Sequence, residues 1–291
     1  MDSSKNKLIW IILVSLLCFN IIVWVWVWDL NRPRFLEVTF FDVGQGDSIF
    51  IETSNKYQVL IDGGPSSSIL LEKLGKAMPF YDRTIDLIIL THPESDHYKG
   101  LFEVLERYKI ENILWTGILR DTNEWQEWMS LIEKEGVEIK IAEAGQRIIL
   151  DNSSYIDILH PFKKLEGQEI KNSNDSSIVA YLSFNNISFL FTGDIAKKTE
   201  LELIKKDIKA DVLKVAHHGS KTSSSIEFLE AVLPDIAVIQ VGKDNSYGHP
   251  HLEVLANLEQ FGIEVLRTDK IGDIRIISDG DNYRIKTQLN Y

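Results

Sequence analysis

The 291-residue chain contains a single cysteine, Cys18. No disulfide can form within it, and no cysteine-rich structural zinc site is available. A bound metal would have to be held by histidine, aspartate or glutamate, a donor set that suits zinc, manganese or iron. Positive charge is also short: 31 Lys and Arg stand against 43 Asp and Glu, a formal net charge of -12. A broad, sequence-independent nucleic-acid groove normally presents a basic face, so this balance counts against one. Repeats and long disordered stretches are absent, and the share of apolar and charged residues is that of a globular protein. The length allows one large domain or two small ones.

One long apolar run is present. Leu8 to Trp28 carries no charge, and Ser15 and Asn20 are its only polar members. That length spans a bilayer as a helix. Trp24, Trp26 and Trp28 cluster at its end, where an aromatic belt would lie. A cleaved signal peptide would place small residues after the apolar core, and a lipoprotein signal would place one before Cys18; tryptophans, valines and Leu17 stand there instead. A buried core helix, the plainer alternative, is disfavoured because the run is apolar on every face. The expectation is an uncleaved anchor in residues 1–34, ended by Arg32, Pro33 and Arg34, followed by a hydrolase domain in residues 35–291. Lys5 and Lys7 on one side are matched by Arg32 and Arg34 on the other, which nearly balances the positive-inside rule. A single-pass protein of the cell membrane, with its domain on the outer face, is the expected placement.

From Phe35 onward the pattern is that of a soluble α/β domain. Strands are expected at Leu36–Phe41, Asp47–Glu52, Tyr57–Ile61, Ile85–Leu90 and Ile110–Trp115, with helices at Ser67–Ala77, Leu101–Tyr108 and 122–135. Trp125, Trp128, Met129 and Ile132 recur at helical spacing and read as a core face. Short strands follow near Ile139, Ile148 and Ile156. A second half, from Ser177, holds a hairpin (Ser177–Phe184, Ile187–Phe191), strands at Val212–Ala216 and Ile236–Val241, and helices at Thr199–Ile208, Ile226–Val232 and His251–Gln260. The last strands lie near Val265, Ile274 and Arg284. Two successive halves of this kind predict a four-layer α/β/β/α sandwich.

Residues able to ligate metal gather at strand ends. His92, Glu94, Asp96 and His97 follow the strand at Ile85–Leu90, and Pro93 argues for a loop rather than a helix there. His217 and His218, and His249 and His251, form two further pairs; only His160 stands apart. His92 and Glu94 are alternate residues that could share one face and hold one ion. Asp96 and His97 could hold a second, and Asp194, after Thr192 and Gly193, could bridge the two. Asp194 competes with a plainer role as a helix N-cap. Two divalent ions so placed would ionise a water near neutral pH and stabilise both oxygens of a phosphodiester displacement.

The loop Thr91-His92-Pro93-Glu94-Ser95-Asp96-His97 resembles the HxHxDH signature of the metallo-β-lactamase superfamily. Phe41-Asp42-Val43-Gly44-Gln45-Gly46-Asp47-Ser48, Leu60-Ile61-Asp62-Gly63-Gly64, Asn174-Asp175-Ser176-Ser177, Phe191-Thr192-Gly193-Asp194, His217-His218-Gly219-Ser220 and Tyr247-Gly248-His249-Pro250 narrow the resemblance. Together they look like the soluble hydrolase domain of ComEC-type competence proteins, in a stand-alone form. Glu94 replaces the second histidine of the superfamily signature, which keeps a carboxylate there. The superfamily's mid-chain histidine has no clear counterpart. The large multi-helix channel of ComEC is also missing, so DNA uptake by this chain alone is not expected.

The resemblance implies a metal-dependent phosphodiesterase or nuclease that uses two divalent ions, zinc or manganese. His92, Glu94, Asp96, His97, Asp194 and one of His217 and His218 are its expected ligands, and Asp62 orients a ligand histidine. His249 is a candidate proton or hydrogen-bond donor, with a turn residue before Pro250 as the alternative. Asn174, Ser177, Ser220 and Lys221 are candidate substrate contacts, against plainer roles in turns and helix starts. The expected substrate is a phosphodiester, with single-stranded DNA or a smaller cell-envelope ester as the choices. A non-catalytic, membrane-anchored binding or assembly protein that retains the fold is the alternative from another class.

Overall fold

A computed structural model describes residues 3–30 and 35–287. The chain divides into two compact units, Met1–Arg34 and Phe35–Tyr291. In the first, α1 (Ser3–Leu30) is one continuous helix, and its stretch Asn6–Val27 is long and apolar enough to cross a membrane. Those 22 residues rise about 33 Å, against a hydrocarbon core of about 30 Å. The expected stop at Arg32, Pro33 and Arg34 lies outside the described residues.

The second unit is built on two sheets. In chain order, β1 (Leu36–Phe40), β2 (Ile49–Glu52), β3 (Gln58–Ile61), β4 (Thr84–Ile89), β5 (Lys109–Trp115) and β6 (Glu138–Ile141) belong to the first. The second takes β7 (Arg147–Ile149), β8 (Ser154–His160), β9 (Val179–Phe184), β10 (Ile187–Phe191), β11 (Val212–Lys214), β12 (Ile236–Ile239) and β13 (Glu264–Arg267). The hairpin of β14 (Ile274–Ser278) and β15 (Tyr283–Thr287) then returns to the first sheet and pairs against β1.

Side-chain alternation makes three layers of core from these two sheets. In β3, Val59 and Ile61 face the space between the sheets while Leu60 faces outward; in β10, Phe189 and Phe191 face inward and Leu190 outward. The outer face of the first sheet is covered by α2 (Ser67–Ala77), α4 (Leu101–Arg107) and α5 (Asn123–Glu135). α6 (Lys197–Leu203), α7 (Ile226–Val232) and α8 (Leu252–Gln260) cover the second. The result is the four-layer α/β/β/α sandwich. The aromatic stripe of α5 is core: Trp125, Trp128 and Ile132 are buried.

Four details depart from the pattern read along the chain. β7 and β8 precede Ser177 yet join the second sheet, and the final hairpin closes the first, so the two halves are not the two sheets. Apolar alternation reports which faces are covered; it does not report which edge a strand joins. The metal-motif loop is not wholly irregular, because α3 (Ser95–Tyr98) carries Asp96 and His97. Pro93 permits this, since it precedes the N-cap residue Glu94. The helix expected to run to Ile208 ends at Leu203, and Ile208 reaches the core from the segment beyond it. A short helix, α9 (Thr268–Ile271), follows β13.

Phe189 is fully buried between the sheets. Phe189→Ala is expected to lower stability by roughly 3–5 kcal/mol, the cost of an aromatic core truncation. Equilibrium urea unfolding measures this; a loss below about 1 kcal/mol would contradict the packing described.

Candidate metal centre

β3, β4 and β5 run parallel in the first sheet, and β10, β11 and β12 run parallel in the second. The turns that follow these strands supply most of the polar side chains that meet at one place. Asp62 follows β3 in a left-handed conformation, φ 57°. Its carboxylate accepts hydrogen bonds from the Thr91 amide at 2.8 Å, the Thr91 hydroxyl at 2.6 Å and His97 Nδ1 at 2.7 Å. Because Thr91 Oγ1 donates to Asp62, it accepts from His92 Nδ1 at 3.0 Å. His218 Nδ1 donates to the Gln240 carbonyl at 3.0 Å.

In all three rings Nδ1 is thereby fixed as a donor and Nε2 is the atom turned to the pocket, where giving up any proton to a bound cation would free its lone pair. His92 Nε2, His97 Nε2 and His218 Nε2 are buried without a hydrogen-bond partner, as are Asp194 Oδ1 and Asp47 Oδ1. Buried polar atoms are nearly always paired, so such a group calls for a missing ligand. The four nearest Nε2 atoms converge on one oxygen. Asp194 Oδ2 lies 3.5 Å from that of His97, 3.6 Å from His218, 3.8 Å from His217 and 4.0 Å from His92. His92, His97 and Asp194 form one set of donors within metal-binding reach of each other, and Asp96, His97 and His218 form another. The donor chemistry fits divalent cations.

Several expected residues fall into place here and others do not. His92, Asp96, Asp194, His217 and His218 line a cleft of about 180 Å³, together with Asn174 and His249, and His97 is buried just behind it. Asp194 is not a helix cap, because α6 begins at Lys197 with Ala196 as its N-cap. Both members of the histidine pair reach Asp194: His218 is buried, and His217 is partly open to the cleft. Their backbones are left-handed, φ 51° and 54°, a strained state that turns successive side chains to one side.

Glu94 also lines the cleft, but it is outside every converging donor set among the described residues. Arg120 donates to its carboxylate at 2.7 Å, and Ser173 does so as well. The division of ligands thus differs from the alternate-residue reading, in which His92 and Glu94 share an ion. His92 converges with Asp194 and His97 instead. Ser177 is fully buried and accepts a hydrogen bond from the Asp194 amide at 3.1 Å, so it positions Asp194 and is closed to substrate. Ser220 is buried and accepts from Thr222. Lys221 is exposed, and its amide donates to His251 outside the cleft lining. His160 is a satisfied core residue whose Nδ1 donates to the Ser177 carbonyl at 2.7 Å.

Reading the residues in order missed Asp47 and Lys214. Both are buried, and the Lys214 ammonium is ion-paired with Asp47. A lysine inside the apolar strand Val212–Lys214 was the available signal, since lysine is almost never fully buried without a partner.

The charges of this pocket are strongly perturbed. Burial works against charge on His218, but Asp194 and Asp47 outweigh it and push its pKa up to about 9. Burial likewise opposes charge on His97, while Asp194 and Asp62 raise it well above the ordinary value. Burial lowers His92 to about 3 and His249 to about 4, with neighbouring histidines adding to both. Asp194 is held well below the usual carboxylate range by His218 and His97, against its own burial.

Residues 41–243 match the model of the Metallo-beta-lactamase superfamily. The chain is 33% identical to ComE operon protein 3 of Bacillus subtilis over 87% of its own length and 33% of the relative's. It is 28% identical to Competence protein ComA of Neisseria gonorrhoeae, over 82% of this chain and 32% of that one. The chain therefore spans about a third of the length of these curated relatives. In fold it is similar to Zn(2+)-bound PqqB from Methylobacterium extorquens, with a TM-score of 0.55 and 12% identity over 79% of this chain and 97% of that one.

The pocket charges predict how stability responds to pH without metal. His218 and His97 have raised values, so their contribution is complete below an unfolded value near 6.5; that of His218 is lost as pH rises through about 9, and that of His97 as pH rises through its own raised value. His92 and His249 have depressed values, so the unfolded chain takes up their protons first as pH falls from about 6.5 toward 3. Chelator-treated protein should therefore melt highest near pH 6.5 and lower on both sides. A melting temperature that holds level from pH 6.5 to 9.5 would contradict the charge assignment.

Proposed function

The chain belongs to the metallo-beta-lactamase superfamily, and we propose that it is a metal-dependent hydrolase of phosphodiesters working with two divalent ions, zinc or manganese. The observation that carries this reading is the convergence of ligand-ready Nε2 atoms on Asp194 Oδ2. His92, His97, Asp96, His218 and Asp194 would hold the ions, with His217 at the open side. Bound together, two such ions supply an activated water at neutral pH and positive charge for the oxygens of an in-line displacement.

The chain's own residues do the rest. Asp62, Thr91 and Gln240 fix the ring directions before any substrate arrives. Asn174 Nδ2 stands 3.5 Å from His217 Nε2 on the cleft wall, within reach of a phosphoryl oxygen seated there. The His249 ring lies 5.6 Å from that of His217 and 6.4 Å from that of His218. It is placed to donate a hydrogen bond to a non-bridging or leaving oxygen. The cleft is large enough for a diester group and its immediate substituents, which favours a single strand or a small ester over a duplex. The motif resemblance to ComEC-type hydrolase domains raises DNA as a substrate; the net charge of -12 favours a short contact with it. Through α1 the protein would be held in the cell membrane as a single-pass chain, with its hydrolase unit on the outer face.

Full-length protein in detergent tests the reading. Bound Zn or Mn and turnover of bis(p-nitrophenyl) phosphate are expected, with single-stranded DNA assayed alongside. Asp194→Asn should lose metal and reduce turnover by roughly a hundredfold or more. A parent protein that binds no metal and turns over neither substrate would overturn the proposal. Membrane placement has its own check: full-length protein should stay with the membrane pellet after alkaline carbonate washing, and release into the wash would exclude a spanning anchor.

A further inference from the structure

Lys214 has no part in the hydrolytic reading above, yet it lies against the centre. Its side chain is 1% exposed, and its ammonium is paired with Asp47, whose own side chain is 2% exposed. It also donates to the Gly193 carbonyl at 3.2 Å and stands 3.8 Å from Asp194 Oδ1. Asp47 in turn faces the backs of two rings, 3.3 Å from His218 Nδ1 and 3.9 Å from His97 Nδ1. Lysine tails normally carry their charge out to water, and a buried ammonium is tolerated only when well paired.

A bracing role between the sheets would explain the pairing with Asp47 alone, because Asp47 precedes β2 of the first sheet and Lys214 ends β11 of the second. It would not explain the approach to Asp194. The two oxygens of that carboxylate are treated differently: Oδ1 faces the ammonium, and Oδ2 faces four histidine Nε2 atoms. A carboxylate with both oxygens free can chelate a single ion. With a cation 3.8 Å from Oδ1, that oxygen is electrostatically engaged without a hydrogen bond, and Oδ2, a single oxygen set among four ring nitrogens, is the one suited to lie between two ions.

We infer that Lys214 is a positioning residue that commits Asp194 to the bridging mode and so sets the centre to hold two ions rather than one. This rests on the proposed two-ion centre. The ammonium acts as a cation on the inner side of Asp194, and Asp47 carries its counter-charge while backing His218 and His97.

Metal stoichiometry and manganese EPR on the full chain test this apart from activity. Parent protein should bind two Mn ions per chain and give a spin-coupled spectrum. Lys214→Met should bind one ion tightly, hold the second roughly 10–100-fold more weakly, and give the six-line spectrum of an isolated ion. Lys214→Met leaves Asp47 buried and unpaired and could fail to fold, so Asp47→Asn/Lys214→Met, which removes both charges, is the second variant. The double variant should keep the parent's circular dichroism and still lose the coupled spectrum. A folded double variant with two ions and the parent's coupled spectrum would overturn the inference while leaving the two-ion centre standing. A parent that binds no ion would overturn both.

Discussion

Buried negative charge is the constraint that the rest of this molecule accommodates. Asp47, Asp62 and Asp194 are nearly inaccessible to water, and a carboxylate removed from water has to be paired or neutralised. Asp62 is paired within the first sheet's turns, through Thr91 and His97. Asp47 is paired across the sandwich with Lys214, and Asp194 crosses the other way to His92 and His97. The contacts that gather metal donors therefore also close this end of the two sheets. Replacing any one of these charges disturbs both the site and the seam, which is why charge-balanced variants are informative here.

The precision of the donor set comes from close backbone packing. The Gly63 amide donates to the His97 carbonyl at 2.6 Å, and the Gly100 amide donates to the Gly64 carbonyl at 2.8 Å. A β-carbon on Gly63 would meet Leu101 side-chain carbons at 2.6 Å, and one on Gly100 would run into the Gly63 carbonyl. Glycine at these places lets the turn after β3 dock directly on α3 and the start of α4. That docking fixes where His97 begins, and Asp62 fixes where its ring points. Small residues in the sequence thus become a ring direction, and the ring direction becomes a ligand lone pair aimed at Asp194.

The centre has a closed side and an open side. His92, His97, His218, Asp47 and Lys214 lie on the closed side and hold charge in place. His217, Asn174, Tyr247 and His249 border the cleft, with the Tyr247 ring stacked on His249 at a centroid distance of 5.7 Å. Glu94, tied to Arg120 and Ser173, joins the metal loop to the segment before β9. Such a division separates groups that set the electrostatics from groups that can meet a substrate, and only the second set can change without upsetting buried charge.

Much of this was legible along the chain because it depends on local patterns. Apolar alternation located β10 and helical spacing located α2 and α7 at their observed bounds. The placing of histidine and aspartate just past apolar strands marked the end of the sheets where they meet. Tertiary structure decided the rest. Periodicity reports which faces are buried, and it is silent about partners brought close by topology. Arg120 claims Glu94, Ser177 turns inward to hold Asp194, and Lys214 meets Asp47 across the sandwich. Each of these pairs joins residues distant in sequence. Which oxygen of Asp194 faces the histidines is set by that packing alone, because a carboxylate has two equivalent oxygens until its surroundings distinguish them.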